Sequence, residues 1–248
     1  MKVTLMQRDI VWANPTENRQ RAEQALLAEP GSDLYVLPEM WNTGFATKPT
    51  GIAESADGET LRWMRGMAAR LDAAIAGSVA IRETDGSYRN RLYFVKPSGD
   101  ISFYDKHHLF SFGGENEHYT SGCERTVVEW RGVRFLLMVC YDLRFPIWSR
   151  NRDDYDAIIY VASWPSQRMT AWRILLRARA IENQCYVLGV NRVGRDPQCE
   201  YVGGTALIDP YGRDEECPEK EETTLSGTID MTFLHNYQER FPQLKERD

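Results

Sequence analysis

Short apolar runs of strand length alternate along the chain with longer segments in which apolar residues recur every three or four positions, the pattern of an α/β protein. Val3, Leu5 and the cluster at 10–12 mark a first strand. Asn14-Pro15 breaks it, and residues 18–29 put Ala22, Ala25, Leu26 and Glu29 on one helical face. Residues 34–37 predict a second strand, closed by Pro38-Glu39. Residues 59–74 read as a helix with Leu61, Met64, Ala68 and Leu71 inward, followed by a strand at 74–81. Residues 92–95 and 101–104 form a hairpin that ends at Asp105-Lys106. A strand at 126–130 turns at Arg131-Gly132 into the buried run 135–139. Residues 157–162 are a further strand, and 171–183 a helix with Ile174, Leu175, Ala178 and Ile181 inward. Strands at 186–190, 203–208 and 225–229 follow, with a charged loop at 215–222 before the last. A polar tail from about residue 233 is expected to be peripheral.

The run 135–139 stops at Cys140, and Pro146 then opens a segment whose residue types allow a helix with proline in its first turn. Cys140 therefore sits on a strand-to-helix elbow, a place that exposes a side chain beside backbone N–H groups able to hold a developing negative charge. A free cysteine ending an apolar strand is also what a small buried hydrophobe looks like. Glu39 and Lys106 likewise lie just past short apolar strands, and Trp164 ends another, so an α/β sheet would gather all four at one edge. Each has a plainer use: Glu39 as a helix cap, Lys106 as a solvated hairpin end.

Composition narrows the classes. A net charge of −6 without a sustained basic run gives neither nucleic acid nor an anionic membrane an electrostatic footprint. The N-terminus lacks a continuous apolar segment and no later run approaches a bilayer span, so a cytoplasmic protein with no membrane partner is expected. Five cysteines without a CxxC pair argue against a disulfide framework and a structural zinc site. The 248 residues read as a single domain.

The stretches VLPEMWNTGF around Glu39, FYDKHHLF around Lys106 and LLMVCYDLRFP around Cys140, with RARAIENQCYVLGVNRVG and GGTALIDPYG further on, resemble the nitrilase superfamily of carbon–nitrogen hydrolases in order and spacing over nearly the whole chain. The YDKHHLF and CYDLRFPIWSRN forms are most similar to bacterial omega-amidases. The resemblance implies a four-layer α-β-β-α sandwich, an active-site Glu39, Lys106 and Cys140, a homodimer, and no metal or organic cofactor. It implies as substrate a small-molecule amide, the omega-amide of a 2-oxo dicarboxylic acid such as 2-oxoglutaramate. The family's second glutamate falls in FGGENEHYTSG. Counting back from Gly122 selects Glu115, leaving Glu117 as a loop carboxylate. Arg173 stands where many relatives have a glutamate, which leaves the contacts of that helix open.

These residue types suit one chemistry. A free thiol titrates near about 8.5, so the site must either favour proton loss or take the proton during attack, with Glu39 as base. A lysine about 4 Å from the sulfur would favour the thiolate by up to about 4 kcal/mol at an effective dielectric near 20, while burial and two carboxylates oppose it. Lys106 and the Tyr141 backbone N–H are the oxyanion donors. Arg144, four residues past the nucleophile, either binds a substrate carboxylate or pairs with Asp142 or a loop carboxylate. Phe45 and Trp164 are candidate apolar walls. His107 and His108, beside the lysine, read as structural. The alternatives are a nitrilase or an N-carbamoyl amidase, which share the trio, and a non-catalytic binding protein on the same fold, which would have no need of it.

Overall fold

A computed structural model describes residues 1–246. One sheet runs in the order β15 (Thr223–Thr228), β1 (Lys2–Gln7), β2 (Leu34–Val36), β4 (Ala74–Arg82), β5 (Tyr88–Val95) and β6 (Ile101–Asp105), with β3 (Glu54–Ser55) against the end of β4. The other runs β14 (Asp214–Glu216), β13 (Ala206–Ile208), β10 (Tyr186–Val190), β9 (Ala157–Val161), β8 (Val133–Val139) and β7 (Val127–Trp130). A separate hairpin joins β11 (Val193–Arg195) to β12 (Glu200–Val202). The helices are α1 (Pro15–Ala28), α2 (Glu59–Leu71), α3 (Pro146–Ser149), α4 (Met169–Asn183) and α5 (Met231–Arg240).

Packing makes these parts a four-layer sandwich, as the sequence led us to expect. Val3, Leu5, Val36, Leu92 and Phe94 of the first sheet meet Phe135, Leu137, Val139 and Ile159 of the second. The rings of Phe94 and Phe135 lie 5.9 Å apart across that seam. Truncating a fully buried leucine here, such as Leu137, to alanine costs about 2–5 kcal/mol. On the outer face of the first sheet, Ala22 and Leu26 of α1 and Leu61, Met64 and Ala68 of α2 pack on Tyr35, Leu37, Ile75 and Tyr93. Trp172, Leu176 and Ala180 bring α4 onto the second sheet. β1, β2 and β4 are parallel, as are β8, β9 and β10, so their carboxyl ends point the same way within each sheet. That places Glu39 beyond β2 and Cys140 beyond β8, with Val139 paired to Val161.

Several local expectations differ from the structure. α1 starts at Pro15, earlier than the apolar periodicity suggests, because Asn14 caps it by accepting from the Glu17 N–H at 3.2 Å and proline suits the first turn. β1 ends at Gln7, and Ile10 is buried from a loop. The buried face of α4 is Trp172, Leu176, Arg179, Ala180 and Asn183, while Ile174 and Ile181 are 59% and 45% exposed. The helix is turned because its polar residues are satisfied inside: Arg179 donates to the Leu143 carbonyl at 2.6 Å, and Asn183 accepts from the Asn151 N–H at 2.9 Å. The charged segment at 215–222 contributes β14, and Arg173 pairs with Glu216 and Glu219, each at 2.6 Å. The tail carries α5, capped by Asp230, with Leu234 fully buried and Phe233 and Tyr237 against Tyr211. Residues 247 and 248 of that tail lie outside the described residues.

Candidate active site

Two sheets, rather than one edge, furnish the site. Glu39 follows β2 through Pro38 and is fully buried. Lys106 leaves β6 with its backbone N–H on the Asn90 carbonyl at 2.9 Å, which fixes where its side chain begins. Its Nζ donates to Glu39 Oε1 at 2.9 Å and to Glu115 Oε2 at 2.8 Å, and none of the three side chains is exposed. Glu115 stands in a loop of two 3-10 turns and also accepts from the Phe110 N–H at 2.6 Å. Glu117, in the same loop, is exposed. Gly122 closes the loop where the chain runs hard against Asp105; a Cβ there would stand 2.1 Å from the Asp105 carbonyl oxygen. Glu39 Oε2 accepts from the Ser163 N–H at 2.8 Å, a link to the second sheet just beyond β9.

Cys140 adopts φ +46°, the left-handed region that costs a non-glycine residue about 1–3 kcal/mol and is typical of nucleophile elbows. Asp142 holds that conformation from within. Its buried carboxylate accepts from the Val139 N–H at 3.0 Å, the Tyr104 hydroxyl at 2.8 Å and the His108 N–H at 2.9 Å. His107 stacks on Trp148 and His108 on Phe145, each at 3.7 Å, so both histidines are built into the elbow's support.

Protonation follows from this geometry. Burial alone would lower Lys106, but Glu115 and Glu39 outweigh it and hold the ammonium well above its ordinary range. Burial, then the Glu39 charge, pushes the Cys140 thiol well above the ordinary thiol range, against the opposing pull of Lys106. The resting site therefore favours the Cys140 thiol over the thiolate. Burial also raises Glu115, with Lys106 opposing and Glu39 adding to the rise.

Cys140 opens into a pocket of ≈ 550 Å³, counting the space at its mouth, that is walled by Phe45, Tyr141, Arg144 and Trp164. All four residues singled out for substrate contact thus line one cavity with Cys140. The Arg144 guanidinium lies 5.0 Å from the Trp164 ring centroid, and among the described residues it forms no ion pair, Asp142 being turned to the elbow backbone. Three features escaped the sequence reading. Asn90, flanked by Arg89 and Arg91 in β5, donates to Glu39 at 2.8 Å and to Glu115 at 3.1 Å, bridging the carboxylates, and no local signal in the sequence marks it. Arg168 also lines the pocket, as do Gln198, Cys199 and Tyr201 from the β11–β12 hairpin, which falls between two of the recognised motifs. Among the described residues no group of three or more histidine, cysteine, aspartate or glutamate side chains is placed to hold a metal ion.

A buried Glu-Lys-Glu cluster against a cysteine elbow, at the seam of an α-β-β-α sandwich, is the arrangement of a hydrolase of amide-type bonds. The chain belongs to the carbon–nitrogen hydrolase family, whose model matches residues 2–238. It is 43% identical over 250 residues to the omega-amidase YafV of Escherichia coli K12, covering 100% of this chain and 97% of that one. With the 2-oxoglutaramate amidase of Bacillus subtilis it shares 35% identity, over 97% and 95% of the two chains. Among solved structures, XC1258 of Xanthomonas campestris, a CN-hydrolase superfamily protein, superposes with a TM-score of 0.97 at 44% identity over 100% and 97% of the chains. Saccharomyces cerevisiae Nit3, of the nitrilase superfamily, matches at TM-score 0.88 and 23% identity over 98% and 94%, a likeness of fold alone.

Proposed function

We propose that this protein is an omega-amidase that hydrolyses the terminal amide of short 2-oxo dicarboxylic acid omega-amides such as 2-oxoglutaramate, through a thioester on Cys140. The observation that carries this reading is a pocket with the nucleophile and an uncompensated guanidinium, Arg144, in its lining. A substrate amide at Cys140 with its far carboxylate on Arg144 would satisfy both, and the rings of Phe45 and Trp164 keep the chain between them short.

In this scheme Glu39 takes the thiol proton as sulfur attacks the amide carbon. Lys106 and the Tyr141 N–H, at the start of a 3-10 turn where backbone donors have no partner inside the turn, hold the oxyanion, each worth roughly 3 kcal/mol. Glu39 passes the proton to departing ammonia and then deprotonates the water that opens the thioester. Glu115 holds Lys106 in place. The acid product carries a new negative charge beside Glu39 and Glu115, and that repulsion favours its release.

We further infer a homodimer. Phe233 and Tyr237 are engaged within the chain, but Ile147 beside the elbow, Ile174 and Ile181 on α4 and Phe241 remain exposed, the apolar surface a second copy would cover. Five free cysteines suit a cytoplasmic setting. Kinetics on a substrate and its far-end methyl ester test the assignment. Esterification should cost wild type much more than it costs Arg144→Ala; equal discrimination would remove Arg144 from recognition, and a preference for a plain nitrile would overturn the amidase reading.

A further inference from the structure

A second guanidinium shares the pocket, and among the described residues no carboxylate pairs with it. Arg168 lies at the end of the 3-10 turn Ser166–Arg168 that leads into α4, and it lines the same cavity as Cys140 and Arg144. Its guanidinium stands 5.1 Å from the Phe110 ring centroid and 5.7 Å from that of Phe112. Among the described residues it makes no ion pair, whereas Arg173 and Arg177 on the following helix each meet a carboxylate at 2.6 Å. The backbone carbonyl of Arg168 accepts from Trp164 Nε1 at 2.9 Å, and the other face of the assembly is Arg144 over that same indole. Two guanidiniums thus line one cavity, each near an aromatic ring and neither paired with a carboxylate among the described residues, which leaves their N–H groups for a ligand.

Two unpaired forks are more than one carboxylate needs. A 2-oxo acid offers three acceptors in one plane, two carboxylate oxygens and the neighbouring ketone oxygen, which two guanidiniums can share. A 2-amino acid of the same length offers an ammonium at the ketone's position, and that cation would face an arginine without a carboxylate partner in a pocket whose lining holds no acidic side chain. Like charges in such a place act as a device of exclusion. Resting on the omega-amidase reading above, we propose that Arg168 is a specificity residue: with Arg144 it selects 2-oxo acid omega-amides and rejects the corresponding 2-amino acid amides.

The test compares kcat/KM for ammonia release from 2-oxoglutaramate, glutaramate and L-glutamine, which share chain length and differ at carbon 2 alone. Wild type should prefer them in that order. In Arg168→Met, which keeps an unbranched side chain against Phe110, the 2-oxo preference over glutaramate should fall by about tenfold, the value of one charge-assisted hydrogen bond. Discrimination against glutamine should relax by a similar factor. Arg168→Lys keeps the charge without the fork, so it should still reject glutamine while losing part of the 2-oxo preference. Thermal melts confirm that both variants fold. A ratio of 2-oxoglutaramate to glutamine in Arg168→Met within about threefold of wild type overturns the proposal and leaves the omega-amidase reading standing. A wild type that hydrolyses none of the three overturns both.

Discussion

Replacing Lys106 by methionine tests how far the buried cluster depends on its cation. The lysine bridges Glu39 at 2.9 Å and Glu115 at 2.8 Å, with all three side chains shut off from water. Methionine fills similar space and leaves two carboxylates facing one another. Breaking a buried pair in this way costs about 3–5 kcal/mol. For a chain of this size each kcal/mol moves Tm by about 2–4 °C, so a fall of about 6–20 °C is expected at pH 8. The pH dependence has a definite sign. The folded value for Lys106 lies above its ordinary 10.5, so its stabilisation is fully present below pH 10.5 and is lost as pH rises through the raised value. In the variant Glu115, already raised above its ordinary 4.5 by burial, loses the opposing pull of Lys106, so the folded state holds a proton that the unfolded state has released. Stability of the variant should therefore fall as pH rises from about 5 to 8, and its gap to wild type should widen. Melts at both pH values, with ammonia release as a second readout, check this; kcat should drop by about 10²–10³ through loss of an oxyanion donor. A gap of the same size at pH 5 and pH 8, or no gap, would refute the account of the cluster.

Glu115→Gln should lower kcat by at least about tenfold, and Glu117→Gln, altering an exposed side chain, should stay within about twofold; equal small effects would remove Glu115 from the site. Cys140→Ala should abolish ammonia release with an unchanged circular dichroism spectrum, and mass spectrometry of trapped substrate should find acyl adducts on Cys140 and on none of the other four cysteines. Because Glu39 helps keep the Cys140 thiol protonated, Glu39→Gln should speed alkylation of Cys140 by iodoacetamide at pH 8 while slowing turnover by about 10²–10⁴, opposite signs that a merely misfolded site would not give. Light scattering at micromolar concentration should return twice the chain mass, and a monomer would count against the inferred pairing.

What could be read in the sequence was whatever depends on local pattern. The strand preceding Cys140, the hairpin ending at Lys106 and the helix start at Pro146 each announce themselves within a dozen residues, and the stretches around Glu39, Lys106 and Cys140 are motifs in their own right. The face of α4 is not legible in this way, because Arg179 and Asn183 count as outward residues until their partners, Leu143 and Asn151, are known. Asn90 was passed over for a related reason. Its role exists through two carboxylates, 51 positions before it and 25 after it in the chain, and nothing near position 90 reveals them. Arg168 is the same case in the pocket wall: a lone arginine acquires meaning from being unpaired beside Arg144, which is a property of the folded chain.

The carboxylate of Asp142 has a consequence of its own. It joins the elbow of one sheet to Tyr104 and His108 at the lysine-bearing end of the other, and Ser163 makes a second tie to Glu39. Glu39 and Lys106 therefore belong to one half of the sandwich, and Cys140 with the Tyr141 N–H to the other. Bond-making distances in the site are set by how tightly the halves clasp, so turnover serves as a gauge of their separation. Moderate pressure or low urea, by letting the seam breathe, would silence the enzyme while each sheet kept its strands, and activity would vanish ahead of secondary structure.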